Sequence, residues 1–491
     1  MKKMISLILA GTLILGMTGC NSSKSSETTT SETTSTPTTT TEATTTTEST
    51  TEQTTEETTT ETTWTDPVET DKIIVIETPY GQDPFFQCFL ELHPDFGYEF
   101  QFVESDPMKF NGSGADIIYG VGESAGNTDW NWAKNTDELM PYEIIFEDLD
   151  SKLAEAGIPE AVTAYCRLNE ESPLYGLNLA SSVQVFTYRK SIAKKVFGTD
   201  DPAQIEEIIG GGSGNFDKFY EAAEKLKAEG YVITGRSVDV LYPLMRSCST
   251  KWIDAESRSI EMTEGDYEIV KSVFNFSAKY TNDSMAYSDK PHDYNEIWYG
   301  ENVFGFNGNM LDVSAVLQMI GKKAGFKKDL GFCEAPITTF ASEGYPKCFV
   351  NKNTEHRKAI AEILNWLYFD CSETGFQTLM LKGDSRVTQG IPIATKVYEN
   401  SDEDFRCMVM DNNNSTKWET VKDVKVYPWL ASISKKAVPI TYEGEQNYKD
   451  ILWNATYSTL ITIYGSTDAP EEEPIELFKT NLNETIMNQS I

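Results

Sequence analysis

The chain has 491 residues, 76 of them acidic against 41 basic, and a formal net charge of −35. That length calls for more than one hydrophobic core, since domains commonly run to about 100–200 residues. The acidic excess excludes a nucleic-acid partner on charge grounds, because a polyanion is recognised by a basic footprint. Eight cysteines occur and none forms a CxxC pair. With Cys20 set aside the number is odd, so a full disulfide framework is excluded, although Cys333 and Cys348 are spaced to bridge a hairpin.

Residues 1–20 read as a targeting segment. Lys2 and Lys3 precede the apolar run Met4–Met17, which is too short for a permanent membrane span. The run ends in Met17-Thr18-Gly19-Cys20, which resembles the lipobox of bacterial lipoproteins and so implies lipidation of the Cys20 thiol. Residues 21–70 are rich in Ser, Thr and Glu. Such a tract buries too little apolar surface to offset its ordering entropy, and it reads as a disordered linker. Fully extended, it would reach at most about 170 Å.

The folded body opens with a buried strand at 71–76, followed by a loop that carries Tyr80. Ligands of open α/β sheets gather at such strand ends, which makes Tyr80 a candidate contact. A helix is expected over Phe85–Leu92, and strands over Tyr98–Val103 and Ala115–Val121. The pentapeptide Gly122–Gly126 then matches the G-x-S-x-G elbow of serine hydrolases, with Ser124 as nucleophile and His292 or His356 as base. Against an esterase stand the polar, aromatic segment after it, the few strands before it and the lack of an HGGG-like oxyanion loop.

Glu138–Ala156 has helical periodicity, and Glu160–Tyr165 continues as helix. The stretch Leu174–Gly198 is read as one strand, a small-residue break at Ala180-Ser181-Ser182, a second strand Val183–Tyr188 and a helix. A chain crossing between two α/β lobes is written this way, and the cleft between lobes is a preferred ligand site. Ser182 lies at that crossing. Helices are expected at Phe216–Glu229, Leu241–Cys248, Tyr267–Tyr280, Leu311–Ile320, His356–Phe369, Lys449–Ile463 and Glu476–Ile486. Strands are expected at Tyr231–Thr234, Asn302–Phe306, Leu330–Pro336 and Pro346–Val350. Asn307 and Asn309 would flank a glycine turn after the second of these strands, Asn302–Phe306.

Four places resemble the extracellular solute-binding proteins of ABC importers, most closely the maltodextrin-like, carbohydrate-binding class. They are Gly114–Tyr119 (GADIIY), Val185–Lys195 (VFTYRKSIAKK) with the helix spacing at Phe219–Leu226, the segment Asn302–Met310, and the closing helix Glu476–Ile486. The resemblance implies an α/β, two-lobe periplasmic-binding-protein-like fold with an interlobe cleft. The lobes would be 71–181 with 331–352, and 182–330 with 353–491. It places Glu123, Asp239, Tyr242 and Phe340 at ligand-binding positions. Met310 stands where the family carries a stacking tryptophan. Trp130, Trp132, Trp298 and Trp429 are further stacking candidates, while Trp366 reads as core.

The implied function is binding of a small solute, an oligosaccharide, and its delivery to ABC permease subunits. The receptor would be a monomer, lipid-anchored on the outer face of a Gram-positive cell membrane, and not an enzyme. No nucleotide fingerprint or HExxH motif is present, so no cofactor and no metal are expected. The alternative from another class is a surface serine esterase using Ser124 in its G-x-S-x-G elbow, and a surface adhesin on the same fold is a third.

Overall fold

The computed structural model describes residues 67–488 except 79–83, 105–113, 121–130, 181–182, 248–251, 255–256, 258, 289–293, 310–312, 314–328, 340–345, 411–415, 442–448 and 466–472. Residues 66–491 form one compact unit, distinct from 1–65. Cys20, Tyr80, Glu123, Ser124, Ser182, His292, Phe340, Met310, Trp130 and all but one residue of the helix expected at Leu311–Ile320 lie outside the described residues.

The strands in chain order are β1 (Ile73–Thr78), β2 (Glu99–Glu104), β3 (Ile117–Gly120), β4 (Gly176–Asn178), β5 (Gln184–Arg189), β6 (Val232–Thr234), β7 (Ile253–Asp254), β8 (Ser259–Ile260), β9 (Val303–Asn309), β10 (Leu330–Cys333), β11 (Lys347–Val350), β12 (Arg406–Met410) and β13 (Thr416–Thr420). Five form a first sheet in the order β2-β1-β3-β11-β4, and four form a second in the order β10-β5-β9-β6. In the first, β1 is parallel to β2 and β3, whereas β11 is antiparallel to both β3 and β4. In the second, β5 is antiparallel to β10 and β9, and β6 is parallel to β9.

The crossing read from Leu174–Gly198 is present. β4 closes the first sheet, and after five intervening residues β5 opens in the second. Helix Lys190–Phe197 follows at once, ended by Gly198 in the left-handed region. Tyr188 packs fully buried between two glycines on the neighbouring strands: it is opposite Gly305 on β9 and Gly331 on β10. A side chain at Gly331 would meet the Tyr188 ring at 2.3 Å, so glycine there is what makes room for the aromatic ring.

Each sheet has its own core. The first gathers Ile74, Ile76, Ile117, Phe85 and Phe89 with Ile360, Leu364, Trp366 and Tyr427, and reaches across the crossing to Val185, Phe306 and Leu330. The second gathers Phe186, Tyr188, Phe219, Leu226, Val273 and Phe304 with Leu452, Phe478 and Leu482. This division corrects the expected lobe boundaries. β10 belongs to the second sheet, because Leu330–Cys333 pairs with Arg189–Phe186 rather than with β11. The segment from Arg357 to Ser434 belongs to the first core. Tyr368 donates to the Leu177 carbonyl at 2.8 Å, and the buried Gln377 amide donates to those of Leu179 and Leu367. Only the closing helices Lys449–Gly465 and Pro474–Asn488 return to the second core.

Three further expectations are corrected. Glu138–Ala156 is not one helix: Pro141 and the extended Phe146 break it into short helices at Tyr142–Ile145 and Leu149–Ala156. Asn307-Gly308-Asn309 is not a turn but the end of β9, paired with Phe186, Val185 and Gln184. Cys333 and Cys348 are both free thiols, placed on strands of different sheets, so they do not bridge a hairpin.

Candidate ligand site

The strand ends define where a ligand can sit. β1 and β3 are parallel and end at Thr78 and Gly120. β11 runs the other way and begins there at Lys347, and β4 ends there at Asn178. In the second sheet β5 begins at Gln184 opposite Asn309, the last residue of β9, and β6 ends at Thr234. The crossing joins these two edges directly. The Leu179 amide donates to the Pro346 carbonyl at 2.9 Å, and the Gln184 amide donates to that of Thr339 at 2.9 Å. Carboxyl ends of strands at a change of sheet are the place where α/β folds hold ligands.

On the second sheet the site is built by the turn after β6. Gly235-Arg236-Ser237 leads into helix Val238–Arg246. Asp239, in the first turn of that helix, accepts from the Thr234 hydroxyl. It also accepts from Arg236 through Nε at 3.1 Å and Nη2 at 2.8 Å, both to Oδ1. Burial raises the pKa of this carboxyl, and Arg236 with the Thr234 hydroxyl pulls it back. The Arg236 guanidinium also lies 5.7 Å from the Trp298 ring and 5.9 Å from the Tyr299 ring, within cation–π range of both. Asn307 donates from Nδ2 to the Asp239 carbonyl at 3.3 Å, and its buried Oδ1 has no hydrogen-bond partner among the described residues.

Of the residues singled out in the sequence, Asp239, Asn307 and Trp298 come together here, and Tyr242 lies one helical turn beyond Asp239. Asn309 is buried at the end of the same strand as Asn307. Asp239 is engaged by Arg236 and Thr234, so it positions a guanidinium rather than standing open to solvent. Arg236 and Tyr299 were missed by sequence reasoning. The available signal was the spacing Arg236-x-x-Asp239, an i, i+3 pair at the entry to a helix. Trp132 is not a surface stacking residue: it is buried against the Phe349 and Tyr175 rings. Trp429 is half-buried against the first core, and Trp366 is core as expected.

His356 does not serve a site at these strand ends. It is buried near the amino end of β1, its Nε2 3.4 Å from Asp71. β1 is six residues long, about 20 Å, and separates that position from the edge where β3 ends. Among the described residues no group of three or more His, Cys, Asp or Glu side chains could hold a metal ion. No described helix is long and apolar enough to cross a membrane.

Two α/β sheets joined edge to edge, with polar and aromatic side chains gathered at their strand ends, define a two-lobe binding protein. The profile of the bacterial extracellular solute-binding protein family matches residues 76–370, and the chain belongs to that family. Its members are non-catalytic receptors, so the chain binds a solute and is not an enzyme. Solved structures share the two-lobe periplasmic-binding-protein fold. An extracellular solute-binding protein of family 1 aligns with a TM-score of 0.54 at 11% identity, over 85% of this chain and 99% of its own. A sugar transporter from Rhizobium etli, in an open conformation, aligns with 0.52 at 13% identity, over 85% and 100%. A family 1 protein from Alicyclobacillus acidocaldarius aligns with 0.50 at 14% identity, over 86% and 99%. A search of curated protein sequences matched nothing.

Proposed function

We propose that this protein is a cell-surface receptor that binds a sugar, most specifically an oligosaccharide, between its lobes and delivers it to the permease of an ABC importer. The observation that carries the sugar reading is the second-lobe cluster. Sugars are held by aromatic faces against C–H surfaces and by planar polar groups that fork between hydroxyls. Trp298 and Tyr299 supply the faces, while Arg236 and Asn307 supply the planar polar groups. The sugar-transporter relative from Rhizobium etli supports the same class. In this reading residues 1–20 direct secretion, Cys20 carries the lipid, and residues 21–70 hold the folded body away from the outer face of a Gram-positive membrane. Tyr80, Glu123, Ser182 and Phe340 remain proposed contacts beside Asp239, Tyr242, Asn307 and Asn309.

The test is a thermal-shift screen of the chain without residues 1–20 against oligosaccharides, amino acids and peptides. At free ligand about 100 times Kd, binding adds about 2.7 kcal/mol to the folded state and raises Tm. A rise with one class of sugar is expected. A rise only with amino acids or peptides would overturn the sugar reading.

A further inference from the structure

The first sheet ends in a row of three residues. Gly120 on β3 is opposite Lys347 on β11, and Lys347 is opposite Asn178 on β4. Residues directly opposite one another share a face of the sheet. Asn178 is fully buried, and neither its amide nitrogen nor its amide oxygen has a hydrogen-bond partner among the described residues. Lys347 is buried as well, with its ammonium 5.4 Å from the Tyr165 ring centroid. Among the described residues, nothing lies within 4 Å of the position that a side chain at Gly120 would take.

A folded chain seldom leaves a buried amide unpaired, because burial removes its hydrogen bonds to water and nothing replaces them. This amide stands at the strand end, one residue before the crossing begins, in a row at whose Gly120 end no described residue lies within 4 Å. Its N–H donors and its carbonyl acceptor lie side by side. Two neighbouring hydroxyls on a sugar ring match that pair: one donates to Oδ1 and the other accepts from Nδ2. A trans N-acetyl group does not, because its N–H and C=O point to opposite sides of a planar unit.

We infer that Asn178 is a specificity-determining residue that forks a vicinal diol of the ligand, with the sugar lying along the Gly120–Lys347–Asn178 row. This inference rests on the sugar reading above and adds a first-lobe contact to it. The amide is closed off from solvent in this conformation, so the diol it reads is held away from bulk water rather than at the surface.

The experiment uses calorimetric titration with whichever sugar gives the largest thermal shift, on the wild type, Asn178→Leu and Gly120→Leu. Leucine keeps the branched four-atom side chain of asparagine without its polar atoms, so Asn178→Leu removes the unpaired buried amide and weakens binding about 10–100-fold. Gly120→Leu, which fills the open end of the row, weakens binding without lowering the ligand-free Tm. Monodeoxy analogues provide a test that needs no variant to fold. Two adjacent deletions each weaken binding to the wild type about tenfold or more, and neither weakens binding to Asn178→Leu further. Unchanged affinity in Asn178→Leu, as expected if the amide only holds a buried water, overturns the inference. So does a set of deoxy analogues that all bind the wild type like the parent sugar. Absence of any sugar binding by the wild type removes the sugar reading itself, a different and separately visible failure.

Discussion

Asp239 and Asp283 flank the turn that carries Arg236, and both are fully buried carboxyls with raised pKa values. Asp283 Oδ2 accepts from the Ser237 amide at 3.1 Å and from the Ser277 hydroxyl at 2.9 Å, while its Oδ1 has no hydrogen-bond partner among the described residues. Burial is the main cause of the shift, and the hydrogen bonds oppose it. A carboxyl whose pKa is higher folded than unfolded favours folding in its protonated form. Its contribution is full below the unfolded value, about 3.9, and is lost as pH rises through the folded value. Asp283→Asn removes that loss while keeping an acceptor for Ser237 and Ser277. The difference in stability between Asp283→Asn and wild type therefore grows with pH above about 4 and then levels off. Melting curves across pH check this, and a difference independent of pH would refute it. At Gly235 the constraint is steric: a Cβ would lie 2.3 Å from the Trp298 carbonyl oxygen and 2.5 Å from its Cα. Gly235→Ala must push the backbone of the Trp298 wall away from Arg236. It is expected to cost about 1–3 kcal/mol of stability and to weaken sugar binding by more than that stability loss explains. Titration beside a melting curve separates the two effects.

At the scale of elements, the strands and most helices were legible because their signals are local. Val183–Tyr188 is β-branched and aromatic, and Phe216–Glu229 carries a helical face that ends at Gly230, as the structure bears out in β5 and in helix Asp217–Ala228. Partners were not legible. β10 and β11 are close in sequence and look like a hairpin, yet each pairs with a strand more than 100 residues away. The apolar pattern of Leu330–Cys333 does not point to β5 as its partner; what the structure adds is that Gly331 leaves the space that the Tyr188 ring fills. The same holds for the helix Arg357–Leu364 and the turn Asn365–Phe369 after it. Their apolar face was evident, but the core they enter is chosen by long-range bonds such as Tyr368 to Leu177. The candidate site was half legible for a related reason. Residue type and position marked Asp239, Asn307 and Trp298 as groups of interest, but only packing reveals that Asp239 faces Arg236, and that no described residue hydrogen-bonds the Asn178 side-chain amide. Gly331→Ala tests the partner argument. It drives a methyl into the Tyr188 ring, and the expected loss is about 1–3 kcal/mol in a denaturant titration. Gly→Ala at Gly198, where no described residue lies within 4 Å, is the contrast: its cost comes from the left-handed backbone alone.

For the whole molecule the question is what a lobe rotation must bend. Solute receptors of this architecture respond to ligand by hinge closure, and a ligand shifts that equilibrium only through contacts that differ between the two states. Among the described residues, three connections between the cores are seen, at 179–180 with 183, at 334–339 with 346, and at 435–441. They are tied to one another. Val438 donates its amide to the Thr338 carbonyl at 3.0 Å, and Gln184 donates to that of Thr339. The second and third are also joined by charge. Glu334 is buried to 3% side-chain exposure, accepts from the Thr338 hydroxyl at 3.1 Å and pairs with Lys436 Nζ at 2.6 Å. Lys436 follows a helix of the first core, whereas Glu334 follows a strand of the second sheet, so this ion pair spans the lobes at the hinge. The two partners are unequal, because the ammonium is more than half exposed and the carboxylate is not. Removing Lys436 leaves a buried charge with one hydroxyl for support, whereas Glu334→Gln leaves an exposed lysine that water can solvate. A double-mutant cycle exposes the asymmetry. Lys436→Met is expected to destabilise the protein by more than Glu334→Gln does, and the double variant to recover much of that loss, with a coupling of about 1–3 kcal/mol. Equal single losses that simply add would mean that the pair is a screened surface contact, and that the bonds at Thr338, Thr339 and Val438 hold the crossings together without it.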